Sequence, residues 1–177
     1  NLSPNTVSFY LKRLRAVYNR AIDEELIVDK RPFKRISTAE EKTAKRAISL
    51  KVIKHLKSLD FSNCPTKAFA RDMFLFSFYT RGMSFVDIAY LQKRNLKNEE
   101  LCYRRKKTNQ LLSIHWENCM QDILKRYEAT SQSPYLFAIV NDLNKDSRKQ
   151  YLNSLYKINR SLKIIGNEIG LNLPLTM

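Results

Sequence analysis

Glycine is scarce in this chain, and its scarcity excludes whole classes of fold. The 177 residues include three glycines, Gly82, Gly166 and Gly170. A glycine-rich phosphate-binding loop cannot be assembled from residues so far apart, so a glycine-rich nucleotide-binding fold is excluded. The same shortage argues against an all-β protein, which needs many tight turns.

Cysteine and histidine are also sparse. Cys64, Cys102 and Cys119 are far apart in the sequence and form no CxxC pair, and the histidines are His55 and His115. A structural zinc site is therefore not expected, and we predict neither a metal ion nor a small-molecule cofactor. Cysteines in this number and spacing favour a reduced, intracellular protein.

Long hydrophobic runs and a targeting signal are lacking as well. No apolar run approaches the roughly 20 residues needed to span a bilayer, so we predict no membrane segment. The chain opens with Asn-Leu-Ser-Pro-Asn, without an initiator methionine or the pattern of a signal peptide. That start, together with the end at Leu-Pro-Leu-Thr-Met, leads us to expect a piece of a longer protein.

Positive charge is what the sequence has in excess. Lys and Arg number 32 against 17 Asp and Glu, which gives a formal net charge of +15, and hydrophobic residues make up 44%. That hydrophobic fraction is too high for a disordered basic tail. A folded protein this basic usually meets a polyanion, and we predict nucleic acid. Solubility alone and attachment to anionic lipid are the alternatives.

Hydrophobic periodicity predicts a chain that is mostly helical. Ser3-Pro4 is typical of a helix start, and apolar residues then recur at spacings of three and four up to about Glu25. The predicted helix at about 66–79 is rich in Phe and apolar on most faces, so it should be buried. Gly170 is the expected C-cap of the last helix. Beyond the first helix, the pattern predicts helices at about 49–59, 66–79, 84–91, 118–129 and 147–169.

Two β-prone segments interrupt the helical pattern. Residues 100–105 and 111–116 flank Thr108-Asn109, which predicts a hairpin, and Asn tolerates the positive φ that such a turn needs. The expected fold class is therefore mainly α with a small antiparallel β-sheet (α+β). Four consecutive cations, Arg104 to Lys107, lie at the hairpin tip and suit a phosphate-lined groove. A solvated basic turn is the alternative interpretation.

Residues 30–46 are predicted to form a basic linker between two domains. They contain Pro32, seven basic residues and few apolar ones. An ordered loop that lies along one domain is the alternative. The linker would separate the helix in residues 1–29, which cannot bury its own apolar stripe, from an organised region at 47–177.

A lone arginine between two apolar helices is the second candidate for chemistry. Arg81 must be satisfied by an acid, by carbonyls or by a bound anion. Ser84 and Asp87 follow three and six residues later, on one helical face if the helix includes Arg81. Two interpretations stay open here. Arg81 and Asp87 form a structural ion pair, or Arg81 is directed at a phosphate and Asp87 orients it or a neighbour.

The order of these features resembles the tyrosine recombinase (phage integrase) family, particularly the integrases of mobile elements in Bacteroides-type bacteria. A capped basic helix and a linker precede a short helix, a buried helix, Arg-Gly-x-Ser-x-x-Asp-Ile and a basic hairpin with Lys-Lys-Thr-Asn. The resemblance implies that residues 1–29 are the last helix of a core-binding (SAM-like) domain. Residues 47–177 would be the N-terminal part of a recombinase-like catalytic core that is incomplete at its C-terminal end.

Site-specific DNA recombination is the function that this resemblance implies. The family cuts one DNA strand by attack of a Tyr hydroxyl, clamps the phosphate with two Arg side chains and protonates the leaving oxygen with a hairpin Lys. The partners implied are duplex DNA and further copies of the protein on that DNA. The location implied is the bacterial cytoplasm, associated with the nucleoid. A non-catalytic DNA-binding regulator is the alternative function, and an RNA or membrane-surface binder is a third.

The resemblance assigns roles to individual residues. Lys107 matches the hairpin Lys, with Lys106 as the fallback, and Asp87 matches the acid after the first Arg. Ser84 occupies the usual position of that Arg, so Arg81 is the expected substitute and Ser84 a hydroxyl donor. None of the nine Tyr is expected to be the nucleophile, so this fragment should not cut DNA. The candidate contacts to the DNA backbone are Arg13, Arg15, Lys34, Arg35, Arg104, Arg105 and Lys106.

Overall fold

Residues 2–42, 47–130, 132–142 and 144–177 are described by the computed structural model. The chain divides into two compact units, Asn1–Ala47 and Ile48–Met177. Over the described ranges the elements are helices with one small antiparallel sheet, which confirms the predicted α+β class. In the same ranges, no helix is both long enough and apolar enough to cross a membrane.

The first unit is built on one helix, α1 (Pro4–Asp23). As predicted, Ser3 is its N-cap, because the Ser3 hydroxyl accepts a hydrogen bond from a first-turn amide. Pro4 takes the first helical position, where its missing N–H costs nothing. At the other end Glu25 adopts a left-handed φ of 56°, and the amide of Leu26 bonds back into the last turn. This reversal ends the helix.

The basic segment that follows α1 runs back along the helix. Asn5 exchanges two hydrogen bonds with the backbone of Glu41, and the Ser8 hydroxyl donates to the carbonyl of Ala39 at 2.8 Å. Two turns further along α1, Arg15 donates to two carbonyls of the same segment. Polar side chains on one face of α1 therefore hold this segment in place.

Another face of α1 is apolar and exposed. Its residues recur at the spacing of a single helical stripe. Within the described residues of the first unit nothing covers this stripe, so the idea that residues 1–29 belong to a larger domain stays a prediction. Residues 43–46 of the predicted linker lie outside the described residues. The stripe consists of Val7, Tyr10, Leu14 and Val17, each of which is 41% exposed or more.

The second unit contains five helices within its described residues. None of their ends differs from the prediction by more than two residues. A turn of 3-10 helix at Lys93–Asn95 follows the third of them. The five helices are α2 (Leu50–Ser58), α3 (Pro65–Tyr79), α4 (Phe85–Ala89), α5 (Asn118–Tyr127) and α6 (Ser147–Glu168).

Three antiparallel strands pair in the order β1-β2-β3. The strands are β1 (Leu96–Lys97), β2 (Glu100–Arg104) and β3 (Leu111–His115), and the predicted hairpin is formed by β2 and β3. The sequence pattern misses β1, because two residues are too few to show alternation. Asn98 and Glu99 both have positive φ, at 50° and 59°, and make the two-residue turn between β1 and β2.

The core of the second unit forms where α3 packs against α6. Phe76 of α3 and Leu162 of α6 are fully buried, and the Phe137 ring meets the Phe76 ring edge-on at 4.9 Å. The helix rich in Phe is therefore central, as predicted. Leu152 lies on the flank of the α6 apolar stripe and is 47% exposed.

A buried carboxylate ties α3 to α5. Asp72 is 1% exposed, accepts hydrogen bonds of 2.8 Å from Arg71 Nε and the Tyr127 hydroxyl, and forms an ion pair with Arg126 at 2.8 Å. Burial, together with the neighbouring Asp72 carboxylate, raises the pKa of Tyr127 to about 12. Because three partners satisfy the buried charge, the network fixes how the two helices pack.

Candidate nucleic-acid interface

Arg81 lies in the turn that ends α3, with an unusual backbone conformation. Its φ is 58°, and that of the following Gly82 is 84°. The Gly82 amide bonds to the carbonyl of Ser77 and the Arg81 amide to that of Phe78, the paired pattern of a Schellman helix end. The position of Arg81 normally takes Gly, since a side chain there costs about 1 kcal/mol. This strain points to a role for the arginine outside folding.

Arg81 does not belong to α4. That helix begins at Phe85 with Ser84 as its N-cap residue, so Arg81, Ser84 and Asp87 do not share a helical face. The described residues include no ion pair between Arg81 and Asp87. Instead, the Ser84 hydroxyl donates to Asp87 Oδ2 at 2.6 Å. The hydroxyl proton of Ser84 is thus directed at a neighbouring carboxylate.

Asp87 joins the start of α4 to the hairpin tip. It is 6% exposed, and its Oδ1 accepts a hydrogen bond of 2.9 Å from the backbone amide of Lys106. The fold therefore brings together three of the predicted site residues, Ser84, Asp87 and Lys106. The spacing of these residues in the sequence does not reveal this contact, because Asp87 and Lys106 are 19 positions apart.

The two lysines of the hairpin tip have different surroundings. The ammonium of Lys106 lies 4.0 Å from the centroid of the Tyr90 ring, a cation–π contact. Lys107, the next residue, is exposed, and among the described residues its side chain makes no hydrogen bond or ion pair. Lys106 is therefore held by the protein, whereas the Lys107 ammonium is open to a ligand.

Arg81 and Arg105 line one surface depression of about 250 Å³. Arg105 is the first residue of the hairpin turn, and its amide donates a hydrogen bond to the carbonyl of Gln110 at 2.8 Å. Tyr103 and Ser113 also line the depression, and no acidic side chain does. Within the described ranges neither guanidinium has an acidic partner. Two unpaired guanidinium groups on one concave surface suit an oxyanion, because their donors match the oxygens of a phosphate.

A polar stripe that the sequence reasoning missed runs along α6. Its members recur at spacings of three and four, the period that also marks the core face of the same helix. The stripe is about 27 Å long at 1.5 Å per residue. Cations, amides and an aromatic ring together suit contacts to a nucleic-acid backbone. The stripe consists of Lys149, Asn153, Tyr156, Arg160, Lys163 and Asn167, all of which are exposed.

The candidate backbone contacts of the first unit fall into two groups. Arg13, Lys34 and Arg35 are exposed, and the Arg13 guanidinium also lies 5.2 Å from the centroid of the Phe9 ring. Arg15 is half-buried, and it donates to carbonyls of the segment that lies along α1. Arg15 therefore stabilises the first unit, while the other three side chains remain accessible.

The hairpin candidate Arg104 is exposed, and its Nη1 donates to the carbonyl of Asn109 at 3.1 Å. Asn109 has a φ of 56°, so the positive φ predicted for the turn is confirmed. This contact braces the hairpin turn and leaves the other nitrogen atoms of the Arg104 guanidinium exposed.

His55 of α2 and His115 at the end of β3 are both exposed, and neither lines the depression that Arg81 and Arg105 share. Across the part of the chain that the structure describes, no group of three or more His, Cys, Asp or Glu side chains is arranged to hold a metal ion. No family model, curated protein or solved structure matches the chain.

Proposed function

We propose that this chain is the phosphate-binding part of a site-specific DNA recombinase of the tyrosine recombinase kind. The observation that carries the proposal is the depression lined by Arg81 and Arg105 without an acidic partner. The strained backbone of Arg81 and the net charge of +15 support it. So does the sequence order of α3, Arg-Gly-x-Ser-x-x-Asp-Ile and the basic hairpin.

Each site residue has a chemical role in this proposal. Arg81 and Arg105 donate to the non-bridging oxygens of one backbone phosphate and stabilise the charge that develops in the transition state. Asp87 and Ser84 are positioning residues, because the Ser84 hydroxyl donates to Asp87 and Asp87 also accepts from the Lys106 amide. Because the Ser84 hydroxyl already donates to Asp87, we assign Ser84 a positioning role and not the role of a hydroxyl donor to the phosphate.

Lys107 is the proposed proton donor of the cleavage step. A tyrosine oxygen forms a bond to phosphorus, the bond from phosphorus to the 5′ oxygen breaks, and the Lys107 ammonium gives its proton to that oxygen. Lys107 suits this role better than Lys106, whose ammonium lies against the Tyr90 ring. None of the nine tyrosines of this chain is assigned as the attacking group.

The remaining cations hold duplex DNA without reading its sequence. The exposed stripe of α6 and the hairpin tip offer Lys and Arg side chains to the phosphate backbone. Such contacts release counterions, so the logarithm of the binding constant falls with the logarithm of salt concentration in proportion to the phosphates neutralised. Binding through this surface is therefore strongly salt-dependent.

Salt-dependent duplex binding tests the phosphate site. The Arg81→Gln/Arg105→Gln variant should reduce the slope of log K against log salt by about 1, since the one phosphate that the two guanidinium groups share is no longer neutralised. Arg20→Gln is the control, because Arg20 is exposed and already paired with Glu24. An unchanged slope in the double variant would remove the observation on which the proposal stands.

Catalysis is tested in the longer recombinase that the proposal implies. Lys107→Ala should abolish cleavage but spare binding, and a DNA with sulfur in place of the 5′ leaving oxygen should restore cleavage, because a thiolate leaves without a proton. Lys106→Ala should not show this rescue. If the wild-type protein binds duplex DNA but never becomes covalently attached to nicked DNA, a non-catalytic regulator is the better description.

A further inference from the structure

A second depression, of about 300 Å³, lies between α4, the 3-10 turn and the hairpin. It differs from the Arg81 depression in having several aromatic side chains. We call it the tyrosine pocket. Its principal lining side chains are Tyr90, Tyr103, Tyr135, Arg94, Arg104 and Lys106.

Tyr103 has a buried ring and a hydroxyl at the wall of this pocket. It is 6% exposed, and within the described residues its hydroxyl makes no hydrogen bond. Burial also raises the pKa of Tyr103, so the hydroxyl stays protonated at neutral pH and can both donate and accept. The Tyr103 hydroxyl oxygen is reached by solvent at the pocket wall, so it is available to donate or accept a hydrogen bond with a bound ligand.

The charges of the pocket favour an anion. Asp87 is its one acidic lining residue, and both carboxylate oxygens are occupied by Ser84 and Lys106. Arg94 is exposed, and among the described residues its guanidinium has no acidic partner. The pocket therefore presents guanidinium groups to a ligand and no open carboxylate.

The aromatic rings favour a flat partner. The rings of Tyr90 and Tyr135 meet edge-on with centroids 6.0 Å apart, and both line the pocket. Nucleobases stack on tyrosine rings, and proteins that take a base out of a duplex combine such rings with hydrogen-bonding groups and nearby cations. A volume near 300 Å³ is at the lower end for small-molecule sites, which suits one nucleotide.

We propose that the tyrosine pocket holds one unstacked nucleotide, with its base against Tyr135 and the Tyr103 hydroxyl and its phosphate at Arg94. The inference rests on the proposed DNA binding, because the nucleotide is one that leaves the stack of the bound duplex. The Arg81 depression holds a backbone phosphate of the same DNA, and Tyr103 lines both depressions.

Deoxynucleoside monophosphates are the probes for the first experiment. In an NMR titration of the 177-residue chain, they should shift the amides of Arg94, Lys106 and Tyr135 with dissociation constants in the millimolar range. Deoxynucleosides and inorganic phosphate should each bind more weakly. Equal shifts with inorganic phosphate alone would show a plain anion site and overturn the proposal.

Tyr103→Phe sharpens this test, because it keeps the ring in the core and removes only the hydroxyl. It should weaken mononucleotide binding about fivefold, the worth of one neutral hydrogen bond. Tyr10→Phe is the matched control, since Tyr10 lies on α1, does not line the pocket and is 60% exposed. If the two variants bind mononucleotides equally well, Tyr103 does not contact the ligand and the proposal fails.

Duplex affinity, measured in parallel by fluorescence anisotropy, separates this proposal from the proposed function. Duplex binding without any mononucleotide binding leaves the recombinase proposal intact and overturns the nucleotide pocket. The opposite result is a chain that binds mononucleotides, with weaker binding in Tyr103→Phe, but does not bind duplex DNA. It supports the pocket chemistry and removes the DNA-binding function on which its biological role rests.

Discussion

The Asp87 carboxylate lies 2.9 Å from the backbone amide of Lys106 and accepts its hydrogen bond. Its second oxygen is held by the Ser84 hydroxyl at 2.6 Å, so one side chain fixes both the first turn of α4 and the hairpin tip. Both donors are neutral groups. Asp87 therefore positions residues of a cationic surface without forming an ion pair to any described residue there. Its oxygens accept from neutral donors and not from the guanidinium of Arg81.

Replacing Asp87 by Ala should loosen the hairpin tip. The Lys106 amide and the Ser84 hydroxyl would both lose their acceptor, which we expect to lower the free energy of unfolding by about 2 kcal/mol. Hydrogen exchange at the Lys106 amide should become faster than in the wild type. Denaturant unfolding and amide exchange measure the two effects.

Asp122→Ala is the matched control for this change. Asp122 is exposed, and in the described part of the chain its carboxylate makes no hydrogen bond. The control should change the free energy of unfolding by less than about 0.5 kcal/mol and leave the Lys106 amide unaffected. Similar exchange rates at Lys106 in both variants would show that Asp87 does not hold the hairpin.

Arg81→Gly should separate stability from binding. Gly is relaxed at a φ of 58°, so we expect the free energy of unfolding to rise by up to about 1 kcal/mol. The same change removes one of the two guanidinium groups on the proposed phosphate, so duplex affinity should fall and the salt slope should decrease by up to about 1. A protein that is more stable and yet binds DNA less well is the expected result.

Asn109→Gly controls for the backbone effect, because Asn109 also has a positive φ, 56°, but carries no charge. Its gain in stability should be smaller, since Asn tolerates this conformation better than Arg. Its salt slope should equal that of the wild type. If Arg81→Gly destabilises the protein, the arginine contributes to folding and the strain argument is wrong.

The exposed stripe of α6 should contribute to duplex binding but not to folding. Arg160→Gln/Lys163→Gln should lower the salt slope by about 2 while changing the free energy of unfolding by less than about 0.5 kcal/mol. Lys51→Gln/Lys97→Gln removes the same charge from exposed positions on α2 and β1. An equal loss of affinity in both variants would mean that net charge matters and the stripe does not.

Local signals explain why α6 could be predicted from the sequence. Apolar residues mark the buried face of α6. One residue, Gly170, indicates where the helix ends, and it adopts a φ of 73°. The amide of Leu171 then bonds back to the carbonyl of Gly166 at 2.9 Å. Such signals lie within a few positions of the residues that they govern, so a single sequence is enough to read them.

The site could be predicted only in part, because its decisive contacts join residues that are distant in sequence. Arg81 was a candidate for phosphate binding from its neighbours, but the depression that it shares with Arg105 exists only once the hairpin packs beside the α3–α4 turn. The left-handed conformation of Arg81 was also missed. Gly82 follows it, and the sequence offers no reason to place positive φ at both positions.

The buried network of Asp72 and Tyr127 makes alkaline stability a test of the packing between α3 and α5. Burial and the Asp72 carboxylate raise the pKa of Tyr127 to about 12, whereas an unfolded tyrosine titrates near 10. The stabilisation is complete below pH 10 and is lost as pH rises from 10 to 12, because the unfolded chain releases the proton first. Wild-type stability should therefore fall over this range.

Tyr127→Phe should reduce this pH dependence. The remainder comes from other tyrosines whose pKa is raised in the folded protein, which are Tyr79, Tyr103 and Tyr151. At pH 7 the variant loses the hydroxyl that donates to Asp72 at 2.8 Å, which we expect to cost about 1.5 kcal/mol. Its deficit relative to the wild type should shrink between pH 10 and 12, as followed by urea unfolding at several pH values. Tyr156→Phe, at an exposed position, should match the wild type throughout. A deficit of Tyr127→Phe that stays constant up to pH 12 would mean that the hydroxyl acts through packing and not through its bond to the carboxylate.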